Sequence, residues 1–194
     1  MSKLRVPLLL LLAIGPMVVS MAQIPAKSAV DKPAFAIRKV EKQVALYTIH
    51  RGSYEKTGTA IGKLFALAGQ KGIRPRGPIS YVYLNNPKQV SSDHWLTEIR
   101  IPVGKEALKF AGTLGEMTDV KALPALELAV AIKPEGQADP SPIYEILYAW
   151  LHNEGYVVTE GPRETFLTSA MVGNYAQMKS EIMVPVNKLS QQKD

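Results

Sequence analysis

The mostly apolar stretch "QVALYTIH" (43–50) is rich in β-formers and reads as a strand. A short strand near Phe35–Val40 is expected to run into it. After the turn at "GSY", Ile61, Leu64, Phe65 and Ala68 recur at the spacing of one helix face, which predicts an amphipathic helix from Tyr54 to Lys71. Gly72 stops it, as glycine does at helix C-ends. "ISYVYL" (79–84) and "HWLTEIRIPV" (94–103) follow as strands, separated by the turn-rich "NNPKQVSSD". The same order then recurs. "ALELAVAIK" (125–133) is a strand, and a helix opened by Pro140 and Pro142 runs to about Glu154 with Ile143, Leu147, Trp150 and Leu151 on its core face. "ETFLTS" (164–169) and "MKSEIMVPV" (178–186) close the second copy, and residues 105–118 connect the two.

A single shift of 83 residues brings Ile37 onto Val120, Val40 onto Leu123, Ile49 onto Ile132, Leu64 onto Leu147, Gly72 onto Gly155, Glu98 onto Glu181 and Pro102 onto Pro185. Gly77-Pro78 meets Gly161-Pro162 one residue late. Two copies point to a pseudo-symmetric domain rather than a solenoid, which needs three or more repeats. The expected fold is α+β. Two β-α-β-β repeats, residues 34–104 and 117–188, form one antiparallel eight-stranded sheet with two main helices and a central cleft. Seams of this kind are common sites for small ligands.

Strand alternation places Glu98 and Glu181 on the face opposite the obvious aliphatic residues of their strands. Either that face is a solvated exterior, the usual place for glutamate, or it lines the cleft and offers a carboxylate to a cation or a proton. Tyr47, Tyr54, Tyr81, Tyr83, Trp95, Tyr148, Trp150 and Phe166 fall near positions that would border such a cleft. They are either core packing or the walls of an aromatic cage.

Composition narrows the chemistry. Of 194 residues, 46% are hydrophobic and 21% charged, as in an ordinary globular domain. There is no cysteine, so thiolate metal sites, disulfides and cysteine nucleophiles are excluded. The net charge of +6 is spread singly, without the basic stripe of a nucleic-acid binder, and no nucleic-acid partner is expected. His50, His94 and His152 lack metal-ligand spacing, "GTAIGK" (58–63) is too short for a phosphate loop, and no metal or cofactor is expected. Lys3 and Arg5, the apolar run Val6–Val19 and the small residues Ser20 and Ala22 read as a signal peptide over 1–22, cut before Gln23. The folded part is then periplasmic or secreted. An uncleaved leader, the alternative, would instead anchor it in the membrane. Residues 23–33 read as a linker and 189–194 as a flexible tail, within a frayed C-terminal "NKLSQQKD".

"YTIHRGSYEKTG" (47–58), with His50, Gly52 and Tyr54, resembles the strand-to-helix entry of the GyrI-like domains, also called AraC-type or bacterial transcription activator effector-binding domains. "YAWLHNEGYVVTEGPRETFL" (148–167) is similar to the family's helix end and following strand, where Gly161-Pro162, Glu164 and Phe166 match. "SEIMVPV" (180–186) resembles the closing strand, with Glu181 at the recurrent glutamate. The resemblance covers residues 35–187. It implies a central cleft lined by aromatics and a buried acidic residue, which often accepts cationic or lipophilic molecules. Some members are fused to DNA-binding domains, some bind gyrase, and some hydrolyse strained-ring compounds.

The chain departs from this pattern. It shows no helix-turn-helix region, and Lys133-Pro134-Glu135-Gly136 replaces the histidine-glycine-tyrosine entry in the second copy. The expected function is therefore that of an exported, stand-alone domain that binds a small organic ligand, cationic or aromatic. Glu181, Glu98, Tyr47, Tyr83, Tyr148, Trp150 and Phe166 are the candidate ligand-binding residues. The alternatives are a hydrolase using Glu181, which is then the catalytic candidate, and an envelope protein-interaction module.

Overall fold

The computed structural model describes residues 34–167 and 178–189. The proposed leader, the linker up to residue 33 and residues 190–194 of the tail lie outside the described residues. Nine strands and two principal helices follow in the order β1 (Ala36–Val40), β2 (Gln43–Arg51), α1 (Thr57–Lys71), β3 (Ser80–Tyr83), β4 (Leu96–Val103), β5 (Thr118–Leu123), β6 (Leu126–Lys133), α2 (Ser141–Asn153), β7 (Tyr156–Val158), β8 (Arg163–Phe166) and β9 (Ser180–Lys188). All pairs are antiparallel, in the order β1-β6-β9-β8-β3-β4-β2-β5, and β7 shares with β8 the same flank of β9. Nine strands thus occupy eight positions.

Read from either end, the order is the same under the 83-residue shift, which exchanges β1 with β5, β2 with β6, β3 with β8 and β4 with β9. Even the isolated bridge Pro75–Val103 is repeated as the β7–β9 pair Val158–Val186. The pseudo-dyad passes between β3 and β8, where Tyr81 lies opposite Glu164, its own counterpart in the second copy.

The short strand near Phe35–Val40 is expected to run into the strand at 43–50, and the pattern marks no strand at 118–123. Instead β1 pairs with β6 and β5 pairs with β2, so the copies exchange their leading strands. The first repeat thereby carries four strands, one more than β-α-β-β, and the second, which also has β7, carries five. The link from β1 to β2 is only Glu41-Lys42, and that from β5 to β6 only Pro124-Ala125. Two residues bridge at most about 11 Å, whereas six strand spacings in a flat sheet would separate these strands by about 29 Å. The sheet must therefore curl until its end pairs approach, and it forms a half-barrel.

An eight-strand curl has room inside for side chains but not for two helices. Both helices consequently pack outside. The stripe of α1, Ile61, Leu64 and Ala68, joins Leu46, Ile99 and Ile101 of the sheet. The α2 residues Ile143, Leu147 and Leu151 join Ala129, Ala131, Ile182 and Val184. The other face lines the curl, with Leu128, Val130 and Met183 packed together.

Element boundaries shift for local reasons. Tyr54–Lys56 form a 3-10 turn, and α1 begins at Thr57. The helix ends at Gly72, whose left-handed φ of 64° turns the chain so that the Ile73 N–H donates to the Ala68 carbonyl at 2.8 Å. Tyr156–Val158, not anticipated as a strand, pairs with β9 and extends it to Lys188, so the first part of the expected frayed tail is ordered in the sheet. Of "ETFLTS", Glu164–Phe166 lies in β8, and residues 168–169 lie outside the described residues.

Candidate functional site

The dyad strands β3 and β8 form the floor of a cavity of about 620 Å³ on the helix side of the sheet. Tyr144 and Tyr148 on α2 supply one wall, and the loop Leu84–Lys88 and the ring of Tyr54 supply others. Tyr81, Tyr83, Glu164 and Phe166 point up from the floor, because residues two apart on a strand share a face. Gly161 brings the chain into β8 so close to β3 that a Cβ there would lie 2.5 Å from the Tyr83 carbonyl oxygen. Tyr83 N–H in turn donates to the Pro162 carbonyl at 3.1 Å. That close approach accounts for the Gly161-Pro162 pair.

The dyad relates residues of different chemistry. Phe166 is the counterpart of Tyr83, and Glu164 of Tyr81. On one side of the axis the Tyr81 and Phe166 rings meet edge to face at 4.7 Å. On the other, the same cross-axis contact is the Tyr83 hydroxyl donating to Glu164 Oε2 at 2.6 Å. Ser180 on β9 donates to Glu164 Oε1. Thr97, the counterpart of Ser180, has a tyrosine where Ser180 has a carboxylate, and its buried hydroxyl has no hydrogen-bond partner in the structure. Glu164 is 5% exposed. Beside it lies Lys133, 1% exposed, with Nζ 3.8 Å from Oε1 and donating to the Met178 carbonyl at 2.6 Å and the Gln137 carbonyl at 3.3 Å.

The phenols of the cleft are held in their neutral form. Burial raises Tyr83 and Tyr144 well above the usual tyrosine range, and the Glu164 charge adds to it. The same two causes push Tyr54 up to about 12. Tyr81 donates to Thr57 Oγ1 at 2.7 Å, and Thr57 donates to the Tyr54 carbonyl at 2.6 Å, which ties the floor to the start of α1. Tyr54 itself is stacked on Trp95 at 4.5 Å. The Tyr144 hydroxyl is buried with no hydrogen-bond partner among the described residues. The site therefore offers ring faces, hydroxyl donors, one buried carboxylate with the Lys133 ammonium beside it, and the exposed Glu145 and Lys88 at its rim. Among the described residues no group of three or more His, Asp or Glu side chains is placed to hold a metal ion.

Of the residues singled out from sequence, Tyr54, Tyr81, Tyr83, Tyr148 and Phe166 line the cleft, and Trp95 stands behind Tyr54. Glu181 does not. Its carboxylate accepts two bonds of 2.7 Å from the Arg38 guanidinium on β1, across the sheet from the cavity. Glu98 also faces the inside of the curl, 4% exposed, and accepts from Arg100 and, at 2.8 Å, from Lys121. The alternation correctly put both glutamates opposite the aliphatic face; curling turned that face into an interior, separate from the cleft. Tyr47 shares it, with Lys121 4.4 Å above its ring. Trp150 packs against Phe35 and Tyr156 behind α2.

The cleft carboxylate is Glu164. Its signal was its position after Gly161-Pro162 and its register with Tyr81. Tyr144 and Lys133 carried no such mark, because each needed the neighbouring strand or helix to give it a role.

Residues 17–104 match the GyrI-like small molecule binding domain. No curated protein matches the chain by sequence. Among solved structures, the EcmrR C-terminal domain is similar over 81% of this chain and 99% of its own, with TM-score 0.64 and 17% identity. EcmrR in the "EcmrR-DNA complex in EcmrR-RPo" is similar with TM-score 0.66 and 16% identity over 81% of this chain, which spans 59% of the EcmrR chain. A hydrolase from Listeria innocua is similar with TM-score 0.59 and 15% identity, over 79% of this chain and 91% of its own. At these identities the likeness is one of fold. The first repeat is thus similar in sequence to the GyrI-like small molecule binding domain, and the chain shares the fold of the EcmrR C-terminal domain through both repeats.

Proposed function

We propose that the chain is an exported protein that captures a small aromatic molecule in the cleft between its repeats. The observation that carries this reading is the cavity itself: about 620 Å³ at the pseudo-dyad, walled by six aromatic side chains over one buried carboxylate. Its volume lies within the range of small-molecule sites, and ring walls with a few convergent polar groups are their usual composition. The basic, apolar and small-residue segments of residues 1–22 support export.

Binding is tested by fluorescence titration with a flat aromatic dye. Tyr148→Ala removes a partly exposed wall without opening the core, and should weaken binding about ten-fold, as loss of an aromatic partner of about 0.5–1.5 kcal/mol beyond its buried area implies. Glu181→Gln should leave affinity unchanged, because Arg38 and not the cleft holds that carboxylate. The opposite pattern would move the site across the sheet. Export is tested by N-terminal sequencing of the protein recovered from the cell envelope or medium. The expected first residue is Gln23, and recovery of intact Met1 from a soluble cytoplasmic pool would overturn it.

One observation favours a hydrolase as the second reading. Glu164 is a carboxylate inside the cleft, where Glu181 is not, so hydrolysis would pass to Glu164 as the base that activates water. Product formation from a strained-ring substrate, abolished in Glu164→Gln, would support it.

A further inference from the structure

The cleft contains both members of a buried ion pair, and the exposed Glu145 and Lys88 add one charge of each sign at its rim. Glu164 supplies one negative charge, and Lys133 places a positive one 3.8 Å from it. A surface lysine could swing away to admit a competing cation. Lys133 is fully buried, and its ammonium is tied to the Met178 and Gln137 carbonyls, so moving it would strip a charge of its partners. The carboxylate is correspondingly occupied, since Tyr83 and Ser180 donate to its two oxygens. An incoming cation therefore meets the field of a dipole and not of a bare negative charge, and that field falls off much faster with distance. The Tyr144 hydroxyl is buried at the wall without a hydrogen-bond partner among the described residues, and burial next to Glu164 keeps it protonated. A donor in that position is costly until an acceptor arrives.

We propose that this cleft selects uncharged, flat aromatic molecules that carry a hydrogen-bond acceptor, with Lys133 excluding cations and Tyr144 donating to the acceptor. The inference rests on the cleft being the binding site and adds the charge class of its ligand. Lys133 stands at the position of His50 in the first copy, within the segment where the second copy lacks the histidine-glycine-tyrosine entry. The departure from that pattern is thus the residue that sets the charge of the site.

Three flat dyes read the charge of the cleft: Nile red, neutral with a ring carbonyl; ethidium, a permanent cation; and anilinonaphthalene sulfonate, an anion. Wild type should bind Nile red at least ten-fold more tightly than ethidium. Lys133→Met leaves Glu164 uncompensated and should raise ethidium affinity at least ten-fold while changing Nile red less than three-fold. Glu164→Gln removes the buried negative charge of the cleft and should raise affinity for the sulfonate at least five-fold. Tyr144→Phe should weaken Nile red five- to ten-fold and spare ethidium.

If wild type prefers ethidium, or if folded Lys133→Met gains no ethidium affinity, the charge selection is overturned while the cleft remains the site. If no dye binds, or if Tyr148→Ala affects none of them, the cleft reading fails and the selection with it. Should Lys133→Met not fold, the wild-type preference and the response of Glu164→Gln to the sulfonate decide the matter.

Discussion

Glu98→Gln should destabilise the protein by about 3 kcal/mol at pH 7, measured by urea unfolding. The carboxylate is buried inside the curl with Arg100 and Lys121 as partners, and Arg163, which pairs with Glu160, lies on the same face with its Nε lacking a hydrogen-bond partner among the described residues. Removing the charge strands two cations near a third. Loss of one member of a buried pair costs about 3–5 kcal/mol. The lower end applies because the Lys121 side chain is 34% exposed and can turn toward water.

The effect depends on pH in a definite sense. Burial pushes the Glu98 carboxyl up, but the hydrogen bonds and charges of Lys121 and Arg100 outweigh it, and the folded group ionises below its ordinary value of 4.5. Its stabilisation is therefore complete above that value and is lost as pH falls through the lower, folded one. The gap between wild type and Glu98→Gln should be full at pH 7 and narrow at pH 3. A gap that widens on acidification would mean that the pair does not hold the carboxylate ionised.

Leu147→Ala should cost about 2–5 kcal/mol, and it should also weaken dye binding. Leu147 is fully buried between α2 and the sheet, where it packs among Ala129, Ala131, Ile182 and Val184. The cavity left behind would loosen the helix whose neighbouring turns carry Tyr144 and Tyr148 into the cleft wall. Leu64 is its counterpart under the repeat, buried to the same degree beneath α1. Leu64→Ala should cost a similar amount in stability but weaken binding less, since no residue of α1 from Thr57 to Lys71 lines the cavity. Calorimetric melting paired with dye titration separates the two effects. Equal losses of binding would show that the cleft depends on the whole sheet rather than on α2.

Local pattern and repetition were sufficient for much of this. The helix stripe Ile61, Leu64 and Ala68, the glycine stop at Gly72 and the alternation along 97–103 are set by neighbours three, four or two residues away, and all are visible in one dimension. The shift of 83 residues made the two-fold relation legible as well, because each copy reuses the same local rules. Alternation also determined that Glu98 and Glu181 oppose the aliphatic face. What it could not state was what lies beyond that face. Two-residue links force β1 onto β6 and β5 onto β2, the sheet curls, and the presumed groove becomes an interior where Arg38, Arg100 and Lys121 neutralise both glutamates. The cleft instead formed on the helix side, where Tyr81 and Glu164 meet across the dyad from positions 83 residues apart. The charge of a buried carboxylate depends on what other strands bring within a few ångströms. Lys133, Tyr83 and Ser180 reach Glu164 only through long-range pairing, so tertiary structure alone decided the character of the site.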